Sequence, residues 1–435
     1  MNPADAFLAM HSKDPNAFWL DRSSNQVEPV TVIGSAGSLI RAGDESFALA
    51  SEHLERMRNQ VVDFPEQKIP FSFRPGLVGY LGFELGDEKS NGVHPKSEFM
   101  IVDRAMVFDH SEKAMYFIGL FQSREEFLEW YRAALLRLTL VGGETVSFLQ
   151  STADPKLISV KLRHSKEEYI ELIRTAKDRI ARGDVFQLCL TNQISIELEA
   201  NALKTFITLR EKNPAPYGGY LKLGGVEIAS SSPEQFLKVS SQGQLSSKPI
   251  KGTRPRSPDA KEDSKIAAEL ASNEKERAEN LMIVDLMRND FGRVCEVDSI
   301  TVEKLFDVES YATVHQLVST ISGKLSAGQS STSALAACFP AGSMTGAPKI
   351  RALEILKDLE KGPRDIYSGA FGFLGFDGSA EFGMTIRTLV FEGGSATLGV
   401  GGGITIDSDP VGEFEETMLK ARALMEAIGG PNWRI

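Results

Sequence analysis

Lys251 stands in "SSKPIKGTRPRS" (246–257), where Lys248, Lys251, Arg254 and Arg256 place four cations within nine positions. Pro249 and Pro255 favour extended backbone, and Gly252 frees the turn beside Lys251. Two readings fit such a run: a solvated basic loop, or a lysine held neutral by its neighbours so that it can act as a nucleophile. Acid is paired too. Glu276 and Glu279 lie three residues apart, as do Glu413 and Glu416. On a helix that spacing puts both carboxylates of a pair on one face. Brought together, the four would repel, and a hard cation such as Mg2+ would relieve them and could hold an anionic substrate. Kept apart, they are two solvated helix faces, with Glu416 and Lys420 as an i,i+4 pair. "GVGGGIT" (399–405) offers exposed N–H groups for a carboxylate, or is a flexible turn; it is neither a dinucleotide fingerprint nor a P-loop. Of six histidines only His315 lies beyond residue 164. It is either the imidazole of any chemistry there or a packing histidine.

These residues need elements to position them. Residues 1 to about 150 read as a first portion. In it "GLVGYLGFELG" (76–86) is a strand with close backbone approaches, "RAMVFDH" and "KAMYFIGLF" are hairpin strands, and "REEFLEWYRAALLRL" is an amphipathic helix. Residues 141–156 read as a connector. The second portion opens on a capping box, Ser165 with Glu168, and a helix that stops at Gly183. "DVFQLCLTNQISIEL" follows as a strand. "SSTSALAACF" and "MTGAPKIRALEILKDLE" are helical stretches, and "GEFEETMLKARALMEAI" is a final helix. "GAFGFLGF", "AEFGMTIRTLVF" and "SATLGVGGGITI" read as one β-meander.

The 435 residues carry a net charge of −11, which argues against a general nucleic-acid binder. Cys189, Cys295 and Cys338 are odd in number and far apart, with no CxxC pair, so neither a disulfide framework nor a zinc site is expected. No signal peptide or membrane-spanning stretch is read, which makes a cytoplasmic enzyme the expectation.

In order along the chain, "DVFQLCLTNQ", "SSPEQFL", "PIKGTRPR", "ENLMIVDLMRNDFGRV", "FPAGSMTGAPKIRALEIL", "YSGAFGF", "TIRT", "GGGI" and "EETMLKARA" resemble the chorismate-utilising enzymes. That family includes anthranilate synthase component I, aminodeoxychorismate synthase component I, and the isochorismate and salicylate synthases. The likeness is dense from about residue 165 to 428. It implies a single α/β (α+β) unit of the anthranilate-synthase type: two large, mainly antiparallel sheets packed together with helices outside. Residues 1–150 would be its N-terminal portion and 151–435 its chorismate-binding catalytic region.

The resemblance also implies roles. Glu279 and Glu416 match Mg2+ ligands, with Glu276 and Glu413 nearby. Tyr367 and Arg387 match the groups that hold the enolpyruvyl carboxylate. Thr253, Ser343, Lys420 and the glycines Gly401, Gly402 and Gly403 match the rest of the substrate shell, and Glu234 the acid for the departing ring hydroxyl. Gln187 stands where water-adding members carry a lysine, so ammonia is the expected nucleophile. Lys251 stands where anthranilate, isochorismate and salicylate synthases have Ala and aminodeoxychorismate synthases have Lys. The implied activity is amination of chorismate to 4-amino-4-deoxychorismate, for 4-aminobenzoate and folate. A separate glutamine amidotransferase subunit would supply the ammonia, since none of the three cysteines looks like its nucleophile. His315 is a further candidate for proton transfer. "FWLDRSSN" lacks the Leu-Leu-Glu-Ser type stretch of tryptophan-regulated relatives. Competing expectations are an anthranilate synthase component I, a chorismate sensor without catalysis, and a pyridoxal enzyme using Lys251 as its Schiff-base lysine.

Overall fold

The structure, a computed structural model, describes residues 1–61, 69–87 and 92–430. Its strands form two sheets in which every pairing is antiparallel. The eleven-stranded sheet runs Gly346–Ala347, Gln187–Glu199, Ser395–Ile404, Thr388–Glu392, Val226–Ser232, Tyr217–Leu223, Ala17–Asp21, Val30–Ser35, Arg104–Asp109 and Ala114–Gly119, with Lys156–Leu162 also pairing to Gln187–Glu199. The ten-stranded sheet runs Ile250–Pro255, Val314–Lys324, Gln244–Lys248, Gln235–Val239, Ala380–Met384, Ala370–Gly375, Gly76–Leu81, Ser97–Val102 and Leu39–Ala42, with Thr301–Ser310 also pairing to Val314–Lys324.

One core layer lies between the sheets. Phe18, Val32, Leu221 and Ile228 of the first pack against Val78, Tyr80, Met100 and Phe371 of the second. Helices cover the outer faces. Pro3–Met10, Ala202–Lys212 and Pro410–Ala427 lie on the first sheet, and Ser46–Gln60, Glu274–Phe291 and Ser331–Cys338 on the second. Strands from before residue 150 enter both sheets, so the two portions of the chain fold as one unit. Arg22 links the sheets: it donates to Glu381 at 2.6 Å and lies over the Tyr217 ring, all three buried. Among the described residues no helix is long and apolar enough to cross a membrane.

Most local expectations hold. The Ser165–Glu168 capping box starts the helix Lys166–Ala181, and Gly183 follows with φ 81°. Two do not. Residues 141–156 contain the helix Glu144–Ser151, whose first turn is held from afar: Asp5 accepts from both the backbone N–H and the hydroxyl of Thr145. Local turn residues carry no trace of a cap 140 positions away. The expected meander is split between sheets as well. Ala370–Gly375 and Ala380–Met384 pair in the second sheet, whereas Thr388–Glu392 and Ser395–Ile404 pair in the first. The chain crosses over at residues 385–387, where Arg387 adopts φ 51°.

The close approach read from "GLVGYLGFELG" is real. Gly79 and Gly372 face each other across adjacent strands. A methyl group on Gly79 would lie 1.9 Å from the Glu98 carbonyl oxygen, and one on Gly372 1.9 Å from that of Glu381. Gly79→Ala should therefore destabilise the fold by about 1–3 kcal/mol, as overpacking does. The check is a lower urea midpoint with an unchanged slope.

Candidate active site

Lys251 lies on the strand Ile250–Pro255, at the end of the second sheet beside Val314–Lys324. The register slips between Lys251, opposite Leu317, and Thr253, opposite Gln316. Gly252, with φ 76°, forms this bulge. The bulge re-aims Lys251 toward the first sheet. A methyl group on Gly403 there would sit 2.9 Å from the Lys251 amine nitrogen and 2.7 Å from the Gln187 amide nitrogen. Glu279 lies 3.8 Å from the same amine.

The cations expected to crowd Lys251 are matched elsewhere. Lys248 pairs with Glu309 at 2.7 Å, Arg254 with Glu269 and Glu276 at 3.1 and 3.4 Å, and Arg256 with Asp263 at 2.6 Å. Neighbours in sequence along a strand point to opposite faces, so a basic run need not make a basic site.

The acid pairs do converge. Asn273 caps the helix Glu274–Phe291, and Asp409 the helix Pro410–Ala427. Their first turns meet at Lys275, whose ammonium is 3.9 Å from Glu279 and 3.7 Å from Glu413. Burial raises the pKa of Glu279. Lys251 and Lys275 oppose this, while Glu276 and Glu413 add to it. For Glu416 burial acts upward too, but the Lys420 ammonium at 3.0 Å outweighs it and holds the carboxyl low. Glu413 is buried and accepts from the Ser408 hydroxyl at 2.7 Å. Among the described residues no three acidic, imidazole or thiol groups form a ready-made coordination sphere; cations of the chain accompany the four carboxylates instead. The donor chemistry, carboxylate oxygen throughout, nevertheless fits a hard divalent cation. Glu279 is buried yet accepts no hydrogen bond from any described residue.

Glu234 follows the strand Val226–Ser232 and is buried. Burial pushes its carboxyl up to about 7, against the Ser343 hydroxyl and Lys251. It is therefore an acid poised to give up a proton near neutral pH. Arg387, at the crossover, makes no side-chain hydrogen bond or ion pair with any described residue. Burial depresses its pKa, opposed by Tyr367. The Arg387 backbone, not its guanidinium, carries the positive φ of 51°, and the guanidinium is left without a carboxylate among the described residues. Burial raises the Tyr367 phenol, which stays a donor, and its ring packs against Gly399. Lys420 donates to the Gly401 carbonyl at 3.0 Å, and a methyl group on Gly402 would come within 3.2 Å of Glu413. Gln187 is buried with both side-chain heteroatoms unpartnered. Ser343 sits in the short 3-10 turn Gly342–Met344, and Thr253 is exposed on its strand.

His315 stands apart. Its ring nitrogens engage Asp263 at 2.9 Å and Ser310 at 2.7 Å, so as folded the imidazole ties strands and a helix together. The three thiols are free and buried, and burial raises each.

Reading the sequence alone overlooks one pair. Arg364 chelates Glu360 through two hydrogen bonds of 2.8 and 2.7 Å, both residues buried. It also donates to the carbonyls of Met344 at 2.6 Å and Cys189 at 2.7 Å. Glu360 in turn accepts from the Thr191 N–H and hydroxyl. Three segments, bearing Gln187, Ser343 and Tyr367, are thereby fastened together. The only signal is an acid and a base four residues apart, across a helix end.

Where the two antiparallel sheets face each other, Lys251 of one approaches Gln187 and Gly403 of the other, with a raised carboxylic acid and converging carboxylates beside it. The chain belongs to the chorismate binding enzyme family, which it matches over residues 15–426. It is 37% identical to an aminodeoxychorismate synthase of Streptomyces griseus, an alignment that covers 97% of this chain and 62% of the relative. It is 35% identical to anthranilate synthase component 1 of Streptomyces coelicolor, covering 98% of this chain and 86% of that one. Among solved structures, anthranilate synthase component I from Streptococcus pneumoniae superposes with a TM-score of 0.77 at 28% identity, covering 94% of this chain and 89% of that one. The chain thus spans less than two thirds of the length of the Streptomyces griseus relative.

Breaking the buried pair should cost about 3–5 kcal/mol, because the remaining charge is stranded. Arg364→Leu should show this loss in chemical denaturation, and Arg364→Leu combined with Glu360→Leu should recover part of it.

Proposed function

We propose that this chain aminates chorismate at ring carbon four, giving 4-amino-4-deoxychorismate, as the synthase component of an aminodeoxychorismate synthase. The observation that carries this reading is Lys251, whose amine reaches across from one sheet to Gln187 and Gly403 of the other. Arg387 and Tyr367 would hold the enolpyruvyl carboxylate. Glu234 would give its proton to the departing hydroxyl while the Lys251 amine bonds to ring carbon two and the carbon–oxygen bond at carbon four breaks, releasing water. Ammonia would then attack carbon four, both ring double bonds would shift back, and the bond from carbon two to Lys251 would break, returning its electron pair to the amine. Gln187 cannot serve as a base for water, which supports ammonia as the nucleophile. Glu279 and Glu416, with Glu276 and Glu413, would hold Mg2+, which neutralises a substrate carboxylate when bound.

A separate glutamine amidotransferase would supply the ammonia, since every thiol of this chain is buried. The product would serve 4-aminobenzoate and folate synthesis in the cytoplasm. Anthranilate synthesis is the second reading, favoured by the 86% of the Streptomyces coelicolor relative that this chain covers.

Product analysis with chorismate, ammonia and Mg2+ separates the two. Non-fluorescent 4-amino-4-deoxychorismate is expected, and fluorescent anthranilate as the main product would overturn the proposal. Lys251→Ala should lose the carbon-four product and divert part of the flux to the carbon-two amine; wild-type output from this variant would exclude the covalent route.

Glu234 acts only while protonated, and its folded pKa is about 7. Turnover should therefore fall as pH rises through about 7. Glu234→Gln should flatten that limb and lower kcat by about 10²–10⁴-fold, the usual worth of a general acid.

A further inference from the structure

Lys275 differs from Lys420 and Arg254 in how it is held, and from Lys251, 3.8 Å from Glu279, in being half exposed. Lys420 holds Glu416 at 3.0 Å and also donates to the Gly401 carbonyl. Arg254 holds Glu276 at 3.4 Å and is itself anchored on Glu269. Lys275 donates no hydrogen bond to any described residue. Its ammonium lies 3.9 Å from Glu279 and 3.7 Å from Glu413, beyond hydrogen-bond distance of either, and its side chain is 51% exposed. Those two carboxylates are nearly buried and come from different helices. One loosely held charge therefore serves both.

We infer that Lys275 is a displaceable counter-cation: it occupies the Glu279–Glu413 pair in the substrate-free protein and swings out when a divalent cation binds. The inference rests on the metal reading above. Lys275 is suited to the part. A lysine head on a flexible four-carbon stem can leave for solvent without disturbing the helix that carries it. A pair made at such distances by a half-exposed ammonium is weak, so vacating it costs little. The exchange also explains how a site this acidic persists without metal, since the ammonium relieves part of the repulsion between two helices.

Coupling to substrate follows. With no substrate, an incoming divalent cation must expel an ammonium already in place. A bound dicarboxylate brings further negative charge, which favours the divalent ion over the single charge of Lys275. Cation and substrate then strengthen each other's binding by the same factor, as linkage requires.

The test is direct binding of Mn2+, followed by electron paramagnetic resonance, to wild type, Lys275→Ala and Lys275→Met, with and without chorismate. Without chorismate both variants should bind Mn2+ about threefold or more tightly than wild type, the scale of two weak pairs to a half-exposed ammonium. With chorismate the difference should shrink. Equal affinities in its absence, or weaker binding by both variants, would overturn the inference. Glu279→Gln should weaken binding in every background. If it does not, the ion sits elsewhere and the metal reading itself fails, an outcome distinct from equal affinities in proteins that Glu279→Gln does impair.

Discussion

The cleft depends on a buried ion pair that touches none of the groups assigned to chemistry. Arg364 and Glu360 are both withdrawn from water, which costs several kcal/mol for each charge. Their pairing offsets this only because every remaining donor and acceptor is used: Arg364 spends its other N–H groups on the carbonyls of Cys189 and Met344, and Glu360 accepts from Thr191. The guanidinium also lies over the Phe83 ring at 4.3 Å. The result is a rigid joint between a strand of the first sheet, the turn bearing Ser343 and the loop bearing Tyr367. A planar fork with fixed donor directions suits this joint, whereas a lysine would supply a point charge.

Around that joint the protein solves a charge problem. Glu279 and Glu413 are nearly buried, and Glu276 and Glu416 stand close by. Burial drives the Glu279 and Glu416 carboxyls toward the neutral form. Lys251 and Lys275 oppose it at Glu279, and Lys420, with Lys275 and Lys251, at Glu416. Glu234 receives less help and its pKa rises to about 7. Arg387 is opposed in its burial only by Tyr367 and has no carboxylate partner among the described residues. Carboxylic acids of the same intrinsic strength, Glu234 and Glu416, are thus pushed in opposite directions because their surroundings differ.

Glycine decides how closely the two walls approach. The run that ends at Gly403 brings bare backbone up to Lys251, Gln187, Glu413 and Tyr367; a side chain at Gly399, Gly402 or Gly403 would fill the space that those groups face. The bulge at Gly252 does the complementary work on the opposite wall. Flexibility, the local reading of such glycines, is less relevant here than the volume they leave empty.

Much of this was legible in the chain. The capping box at Ser165, the strand of Gln187, the helices that carry Glu279 and Glu416, and the presence of Lys251 all follow from local patterns, because hydrogen bonding and side-chain periodicity act over a few residues. Order and spacing of nine segments were enough to recognise a family. Tertiary structure alone decided the rest. The crossover at Arg387 split an apparent meander, since which sheet a strand joins depends on partners far away in sequence. Asp5 made a helix of an apparent connector. Lys248 and Arg256, near Lys251 in sequence, found carboxylates elsewhere, Arg254 took Glu276 of the acid cluster, and His315 bonds Ser310 and Asp263. Burial and pairing set the state of a charged group, and both are properties of what the folded chain brings near it rather than of its neighbours along the sequence.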